Sequence, residues 1–393
     1  MARAMDGGAM RLPAPTPLAG RPTVALGCTG LHFPTEALHA VVKNGSAPVF
    51  MHRLTGEEGS GDDGPREMIA ATAEALEKSG HATAWGAGCS VRSAAEAAAF
   101  ATAGCTWFSF ELAGAVDPCA DTMSLDELDA AIVTIEDTGC LAAEWHANYT
   151  EREWPLASGR KLRLADETLA RAAVKFGRAL AHAAQIQQAI RTLWSGRGGV
   201  PDIELCFAGT RETWSEEEFL FLALESARQG ICPVCIAPPL GPEWQPGAEF
   251  SGDENALASM LARFGEIAGL IGQLKIGIRH AACKTQPTSL PALVGPAHLD
   301  LTETAWLATL DALARRQPEI FRRWLCAAQE MFPFAANGMA LAITEEDIHV
   351  LPQVGDAELA STFLGDVRGR QLLLSTFHDV LRSDRPLREA IRR

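Results

Sequence analysis

Short apolar strands and helical segments alternate eight times along this sequence, which leaves few folds open to the chain. Each predicted strand gives way to glycine, proline or polar residues before the next helix begins. Strands and helices alternating in this way are typical of an α/β TIM (β/α)8 barrel, and no glycine-rich dinucleotide fingerprint favours an open doubly wound sheet. The strands are predicted at 23–27, 48–51, 82–86, 105–111, 203–207, 232–237, 274–278 and 297–301.

The 393 residues allow one barrel with a C-terminal helical appendage. We expect residues 1–17 to be a disordered leader, because they contain two arginines but lack the apolar core of a secretory signal. Residues 18–317 are predicted to form the barrel. Residues 318–393 are predicted to form a helical C-terminal extension packed on it.

The net charge of -15 argues against a nucleic-acid-binding protein, whose surface carries a basic patch. Apolar runs stay short of the roughly 20 residues that a membrane helix needs. We therefore expect a cytoplasmic protein that binds a small molecule rather than nucleic acid or membrane. The sequence leaves both a monomer and a homo-oligomer open.

The ten cysteines are spread through apolar segments, which is typical of small buried side chains rather than disulfides. Cys232 and Cys235 have the spacing of a redox pair. A reactive pair follows a strand and opens a helix, whereas these two follow a helix end and lie in a predicted strand. We predict that they are structural and not bonded to each other.

The seventh predicted strand ends in two ionisable residues, Arg279 and His280. Successive side chains of a strand point to opposite faces, so these two are not expected to point the same way. The rim of a barrel supplies active-site residues at such strand ends. The alternative interpretation is a solvated strand end with local ion pairs.

Several segments, in this order and spacing, resemble the tagaturonate–fructuronate epimerase family from about residue 48 to residue 381. The similar segments are Arg66 to Ile69, Trp85 to Gly88, Ala103 to Glu111, Ala173 to His182, Glu204 to Phe207, Ala237-Pro238, Gly252-Asp253, Lys275 to Ile278, and His298. The resemblance implies a TIM-barrel enzyme that inverts a carbon of a keto-uronic acid. It also implies a divalent metal ion such as Zn²⁺, Ni²⁺ or Mn²⁺.

The chain departs from that family where the chemistry is expected. The family pattern has an Asp-His pair after the third strand, where this chain has 88–91, Gly-Cys-Ser-Val. It has Asp-Glu after the fifth strand, where Ala208-Gly209 stand here. It has a ligand histidine after the seventh strand, where Arg279 stands. His298 is retained, and with His280 it is a candidate metal ligand.

A fixed positive charge lowers metal affinity, so we interpret Arg279 as a replacement for the metal that holds an anionic oxygen through two donors. Epimerisation beside a carbonyl needs a base, an acid and a cation for the enolate. The candidate catalytic residues are Glu111, Glu204 and His52, with Glu212 as a further candidate. The candidate substrate-binding residues are Arg53, Arg211, Arg279 and Lys284. For each acid or base, an ion pair at the rim is the competing structural interpretation.

Two functions of different class follow. The first is a sugar-acid epimerase or isomerase acting on a keto-uronate such as tagaturonate, by proton transfer next to a carbonyl. The second is a catalytically inactive barrel that binds a sugar acid. A lyase that uses Lys284 as a Schiff base is a third interpretation, which no buried lysine pocket in the sequence supports.

Overall fold

The computed structural model describes residues 14–27, 35–52, 64–195, 199–208, 212–280, 297–335, 354–384 and 387. Eight parallel strands close into a barrel, which confirms the predicted fold class. A two-stranded antiparallel hairpin lies outside it. The barrel strands are β1 (Thr23–Gly27), β2 (Ala47–His52), β3 (Gly86–Val91), β4 (Trp107–Glu111), β7 (Asp202–Cys206), β8 (Cys235–Ala237), β9 (Lys275–Ile278) and β10 (Ala297–Asp300), and the hairpin is β5 (Trp154–Pro155) with β6 (Lys161–Leu162).

Around the barrel the strands follow the order β1-β10-β9-β8-β7-β4-β3-β2. Along the described chain, helices lie between strands. The α-helices of the described residues are α1 (Thr35–Lys43), α2 (Gly64–Lys78), α3 (Ala94–Ala103), α4 (Leu125–Asp137), α5 (Asp166–Trp194), α6 (Glu216–Arg228), α7 (Glu254–Leu270), α8 (Thr302–Arg316), α9 (Pro318–Ala335), α10 (Leu359–Gly365) and α11 (Val367–Ser383). Short 3-10 turns lie at Ala113–Ala115, Pro118–Asp121, Trp145–Asn148 and Asp356–Glu358.

The starts of several helices follow from their capping residues. Ser124 and Ser215 each form a reciprocal capping box with the glutamate three residues on, at the starts of α4 and α6. Asp253 caps α7 by accepting two backbone N–H donors. These side chains satisfy N–H groups that a helix leaves unpaired in its first turn. They therefore fix where each helix begins after the carboxyl end of a strand.

The predicted third strand, at 82–86, is wrong, because the strand lies four residues later at Gly86–Val91. Its two glycines have the composition of a turn, yet they line the barrel interior. A Cβ atom at Gly88 would lie 2.5 Å from Met51 Sδ and 2.7 Å from Val49 Cγ1. Glycine is therefore required here by close packing inside the barrel and not by a turn.

The sixth strand is also shorter than predicted, because it begins at Cys235 rather than Cys232. Cys232 has a left-handed backbone, with φ of 50°, and is exposed. Cys235 is buried, and both thiols are free. The prediction that the two cysteines are not bonded is confirmed, although its strand-based reason applies to Cys235 alone.

Residues that precede β1 close the amino-terminal end of the barrel. The Asp202 carboxylate accepts the backbone N–H groups of Leu18 and Ala19. The Lys275 ammonium donates to the Ala19 carbonyl at 2.6 Å and lies 4.6 Å from the centroid of the Trp107 ring. Access to the interior is therefore through the opposite end, the carboxyl end of the strands, which we call the mouth.

The helices after the barrel have a hydrophobic cluster of their own, which includes α8, the last helix of the barrel. Trp306 of α8 stacks on Phe377 of α11, with ring centroids 4.9 Å apart. The extension thus packs on the barrel, while its predicted boundary at 317/318 stays a prediction. In the predicted leader, Thr16 donates its backbone N–H to the Trp85 carbonyl, and residues 1–13 lie outside the described part. Among the described helices, none is long and apolar enough to cross a membrane.

Candidate active site

Four side chains at the mouth form what we call the acid–arginine cluster: Arg279, Glu111, Glu204 and Asp300. Arg279 Nη2 donates to Glu111 Oε1 and Nη1 donates to Glu204 Oε2, both at 3.1 Å. Arg279 Nε lies 3.1 Å from Asp300 Oδ2, but its N–H is not aligned for a hydrogen bond. One guanidinium thus contacts three carboxylates.

The strand order explains why these residues meet. Glu111 and Asp300 are the last residues of β4 and β10, Glu204 lies within β7, and Arg279 follows β9. Carboxyl ends of parallel barrel strands converge at one rim. Arg279 also donates to Ser109 Oγ, and its carbonyl accepts the indole N–H of Trp244 at 2.7 Å. The guanidinium is therefore held in place by surrounding residues.

The three carboxylates differ in exposure, and the pKa values of two of them are shifted in opposite directions. The Glu204 side chain is fully buried, the Asp300 side chain is 9% exposed and the Glu111 side chain is 23% exposed. Burial raises the pKa of Glu204 above its ordinary value, although the Arg279 charge opposes this. Burial would also raise the pKa of Asp300, but the Arg279 charge and hydrogen bonds from Thr302 lower it overall. Glu111 has the most exposed side chain of the three acids.

His298 lies on β10 two residues before Asp300, so both side chains share the inner face. Its Nδ1 lies 2.8 Å from Thr23 Oγ1, and its ring stacks on Trp107 with centroids 4.4 Å apart. Burial, with the charge of Lys275 adding to it, lowers the pKa of His298 to about 3. His298 is a neutral imidazole inside the barrel, and its Nε2 is buried without a hydrogen-bond partner.

His280 pairs with a residue outside the acid–arginine cluster. Its Nδ1 lies 2.5 Å from Glu303 Oε1 in the first turn of α8. The His280 backbone is left-handed, with φ of 53°, which is rare for a residue with a side chain. The structure therefore separates Arg279 and His280 onto different partners as predicted, although both lie in the turn after β9, where the strand alternation does not apply.

His52 does not join the other candidates. It falls in step with Phe50 on β2, and Phe50 packs in the large core cluster between strands and helices, whereas Val49 and Met51 pack in the barrel interior. Both ring nitrogens of His52 are buried without a hydrogen-bond partner. Burial lowers the pKa of His52 to about 4, so the ring is neutral. A catalytic role for His52 stays a prediction, and its neighbours are those of a core residue.

Of the remaining candidates, Glu212 lies 3.6 Å from Lys175 Nζ, which also binds Asp121 and Glu218. This ion-pair group joins Lys175 of α5 to the first turn of α6 and to two loop residues, and it shares no ion pair with the acid–arginine cluster. Three predicted substrate-binding residues lie outside the described residues: Arg53, Arg211 and Lys284.

The side chains that the structure describes at the mouth do not fit a divalent metal ion. The space among the three carboxylates is filled by the Arg279 guanidinium, and a cation there repels a second cation. His298 and His280 are bonded to different partners and do not converge. Within the described residues, no group of three or more His, Cys, Asp or Glu side chains is arranged to hold a metal.

Sequence reasoning missed two residues of the site, Asp300 and Glu303. Asp300 ends the eighth strand as Glu111 ends the fourth, so the rule that selected Glu111 could have found it. Glu303 lies in the first turn of a helix, where an acid is expected from the helix dipole alone. Only the fold shows that Glu303 meets His280.

Comparisons with known proteins agree with this fold. A family model described as UxaE, tagaturonate epimerase, matches residues 14–392. A glycerol-complexed crystal structure of fructuronate-tagaturonate epimerase UxaE from Cohnella laeviribosi has a TM-score of 0.78 at 21% identity, covering 96% of this chain and 78% of that chain. The native crystal structure of that enzyme has a TM-score of 0.76 at 20% identity, covering 96% and 77%. At this identity the structural likeness shows the fold. No curated protein matches the chain.

Proposed function

Because this chain belongs to the tagaturonate epimerase family, we propose that it is a sugar-acid epimerase whose reaction takes place at the acid–arginine cluster. One observation carries the proposal, namely that Arg279 orders three carboxylates at the mouth of the barrel. Clustered acids of unequal exposure and shifted pKa supply proton donors and acceptors. A solvated ion pair on the rim would not require a fully buried Glu204.

Within the cluster, Glu111 is the proposed proton-transfer residue, because its side chain is the most exposed of the three acids while Arg279 holds one of its oxygens. The less exposed Asp300 and Glu204 place their carboxyl groups beside the other two nitrogens of the guanidinium. The burial that raises the pKa of Glu204 favours its protonated form, which lessens the repulsion among the acids.

The proton that moves depends on the carbon that is inverted. Proton transfer next to a carbonyl inverts the carbon adjoining that carbonyl. Tagaturonate and fructuronate instead differ at a hydroxyl-bearing carbon two bonds from the ketone. For that pair we propose reversible aldol cleavage. A base removes the proton of that hydroxyl. The bond between the hydroxyl-bearing carbon and the carbon adjoining the ketone then breaks to give an aldehyde and an enediolate. The same bond re-forms on the other face of the aldehyde.

The proposal is tested by incubating purified protein with tagaturonate in D2O and following the sugar by NMR. We expect fructuronate to appear with its C–H hydrogen retained at the inverted carbon. Deuterium at that carbon would favour direct C–H proton transfer over aldol cleavage. Binding of the sugar acid without conversion would support the catalytically inactive barrel instead. If the protein neither binds nor converts tagaturonate, the assignment to this substrate class is contradicted.

We also propose that the cluster binds no divalent metal ion. Chelator-treated protein is then expected to keep the same Tm when Zn²⁺, Ni²⁺ or Mn²⁺ is added, because only a ligand that binds the native state raises it. The matched variant Arg279→His replaces the guanidinium with a ligand beside Glu204 and Asp300. Its Tm should rise with metal. A saturable rise in the wild type that His298→Gln abolishes would contradict the proposal.

A further inference from the structure

We propose that His280 is a second proton-transfer residue of this site and that Glu303 is its positioning residue. This inference rests on the proposed epimerase function and adds to it. In the two epimers the hydroxyl at the inverted carbon points to opposite sides. Its proton is therefore handled on two sides, and one carboxylate at Glu111 serves only one of them. The same holds for direct C–H transfer, where the proton leaves one face and returns to the other.

The geometry of the pair is that of an oriented imidazole. Glu303 Oε1 lies 2.5 Å from His280 Nδ1, so the carboxylate accepts the Nδ1 proton. The ring nitrogen left for exchange with a substrate is then Nε2. In one direction Glu111 takes the hydroxyl proton and the Nε2–H of the His280 imidazolium protonates the re-formed alkoxide; in the reverse direction the neutral His280 takes the proton and the protonated Glu111 returns one. The His280 side chain is 26% exposed, similar to Glu111, whereas Glu303 is 9% exposed. The histidine, in the turn after β9, is thus the more exposed member of the pair, and its orienting acid is the more buried one.

Glu303 is itself fixed by the helical extension. Its second oxygen, Oε2, accepts the backbone N–H of Gly247 at 3.4 Å. The Gly247 carbonyl in turn accepts a hydrogen bond of 2.6 Å from Arg370 Nε in α11. Gly247 has a left-handed backbone, and a Cβ there would lie 2.9 Å from Leu374 Cδ1. The loop that contains Gly247 therefore packs against α11. Through this loop the C-terminal extension holds Glu303, which orients His280.

The backbone of His280 adds an independent observation. A φ of 53° is costly for a residue with a side chain, and such strain is concentrated at functional sites. Glycine would adopt this conformation freely. Histidine at this position therefore serves the side chain rather than the chain path.

His280→Gly is the sharpest test, because glycine suits the backbone and leaves space for free imidazole. We expect kcat for the keto-uronate to fall about 100- to 10,000-fold with KM little changed, and added imidazole to restore turnover. Glu151→Gly is the matched control. Glu151 is exposed, and its backbone is also left-handed, with φ of 61°. The nearby Tyr149 hydroxyl donates to Glu225 near the carboxyl end of α6, which lies away from the mouth. This variant should keep wild-type kcat.

The role of Glu303 is tested by combining variants. Glu303→Gln alone should lower kcat about tenfold with KM unchanged. Added to His280→Gly, it should cost nothing more, because Glu303 acts through His280. If folded His280→Gly keeps wild-type turnover, or if imidazole does not restore the lost turnover, the assignment of His280 is overturned. Conversion of the keto-uronate by the wild type would still leave the proposed function standing. A wild type that converts no keto-uronate would overturn both.

Discussion

Replacing Arg279 with leucine is expected to lower the free energy of unfolding at neutral pH by about 3–5 kcal/mol. The guanidinium lies within 3.1 Å of oxygens from Glu111, Glu204 and Asp300, and its side chain is 8% exposed. Without it, three carboxylates in or near the barrel interior lose their positive partner. Breaking a buried pair costs more than the pair contributes, because an uncompensated charge stays behind.

The loss should shrink as the pH falls. Without the guanidinium, burial and mutual repulsion raise the carboxylate pKa values above those of the unfolded chain. A raised folded-state pKa contributes stability below the unfolded value and loses it as the pH rises through the folded value. Urea unfolding of the variant at neutral pH and at about pH 5 should therefore give a smaller deficit at the lower pH.

Arg323→Leu is the matched control for this experiment. Arg323 also binds a carboxylate, Asp384, through two nitrogens, but its side chain is 52% exposed. Exposed pairs of this kind contribute about 0–1 kcal/mol, so the control should change little. An Arg279→Leu deficit no larger than that of Arg323→Leu would show that the cluster does not depend on its arginine.

Glu111→Gln is expected to lower kcat for a keto-uronate by about 100- to 10,000-fold while the protein stays folded. The amide oxygen of glutamine still accepts a hydrogen bond from Arg279 Nη2, so the cluster keeps its shape. The amide is no base, so proton transfer on this side is lost. Kinetics with purified variants, together with unfolding curves, separate the loss of chemistry from a loss of fold.

Glu167→Gln is the control for Glu111→Gln. Glu167 also accepts hydrogen bonds from an arginine, Arg171, but its side chain is 58% exposed on α5. Its removal should leave kcat unchanged. Equal kcat values for Glu111→Gln and wild type would assign the chemistry to another group of the mouth.

How far the sequence predicts the structure depends on which signal each residue carries. The barrel follows from periodicity, because eight apolar runs separated by capped helices have few other ways to pack. Strand 3 was misplaced since Gly86 and Gly88 carry the composition of a turn. The need for glycine at position 88 is set by Met51 and Val49 on the neighbouring strand, and no local sequence pattern shows that contact.

The site was predicted in part for a similar reason. Glu111 and Arg279 each end an apolar strand, so topology alone brings them to one rim. The pairing of His280 with Glu303 joins the end of β9 to the start of α8, and nothing in the sequence specifies that contact. His52 also ends a strand, but its register places it in step with Phe50 of the helix-facing core. The end of a strand thus predicts that a residue lies at the rim of the barrel. Only the strand register predicts which face of the sheet its side chain points to.

A crystal structure with a bound keto-uronate would show which side chains surround the carbon that is inverted. We expect density for the sugar acid at the mouth, with its hydroxyl-bearing carbon between Glu111 and His280. Arg279 should still bind Glu204 and lie beside Asp300. A sugar bound to a divalent ion held by His280 and His298, with Arg279 turned towards solvent, would contradict the account.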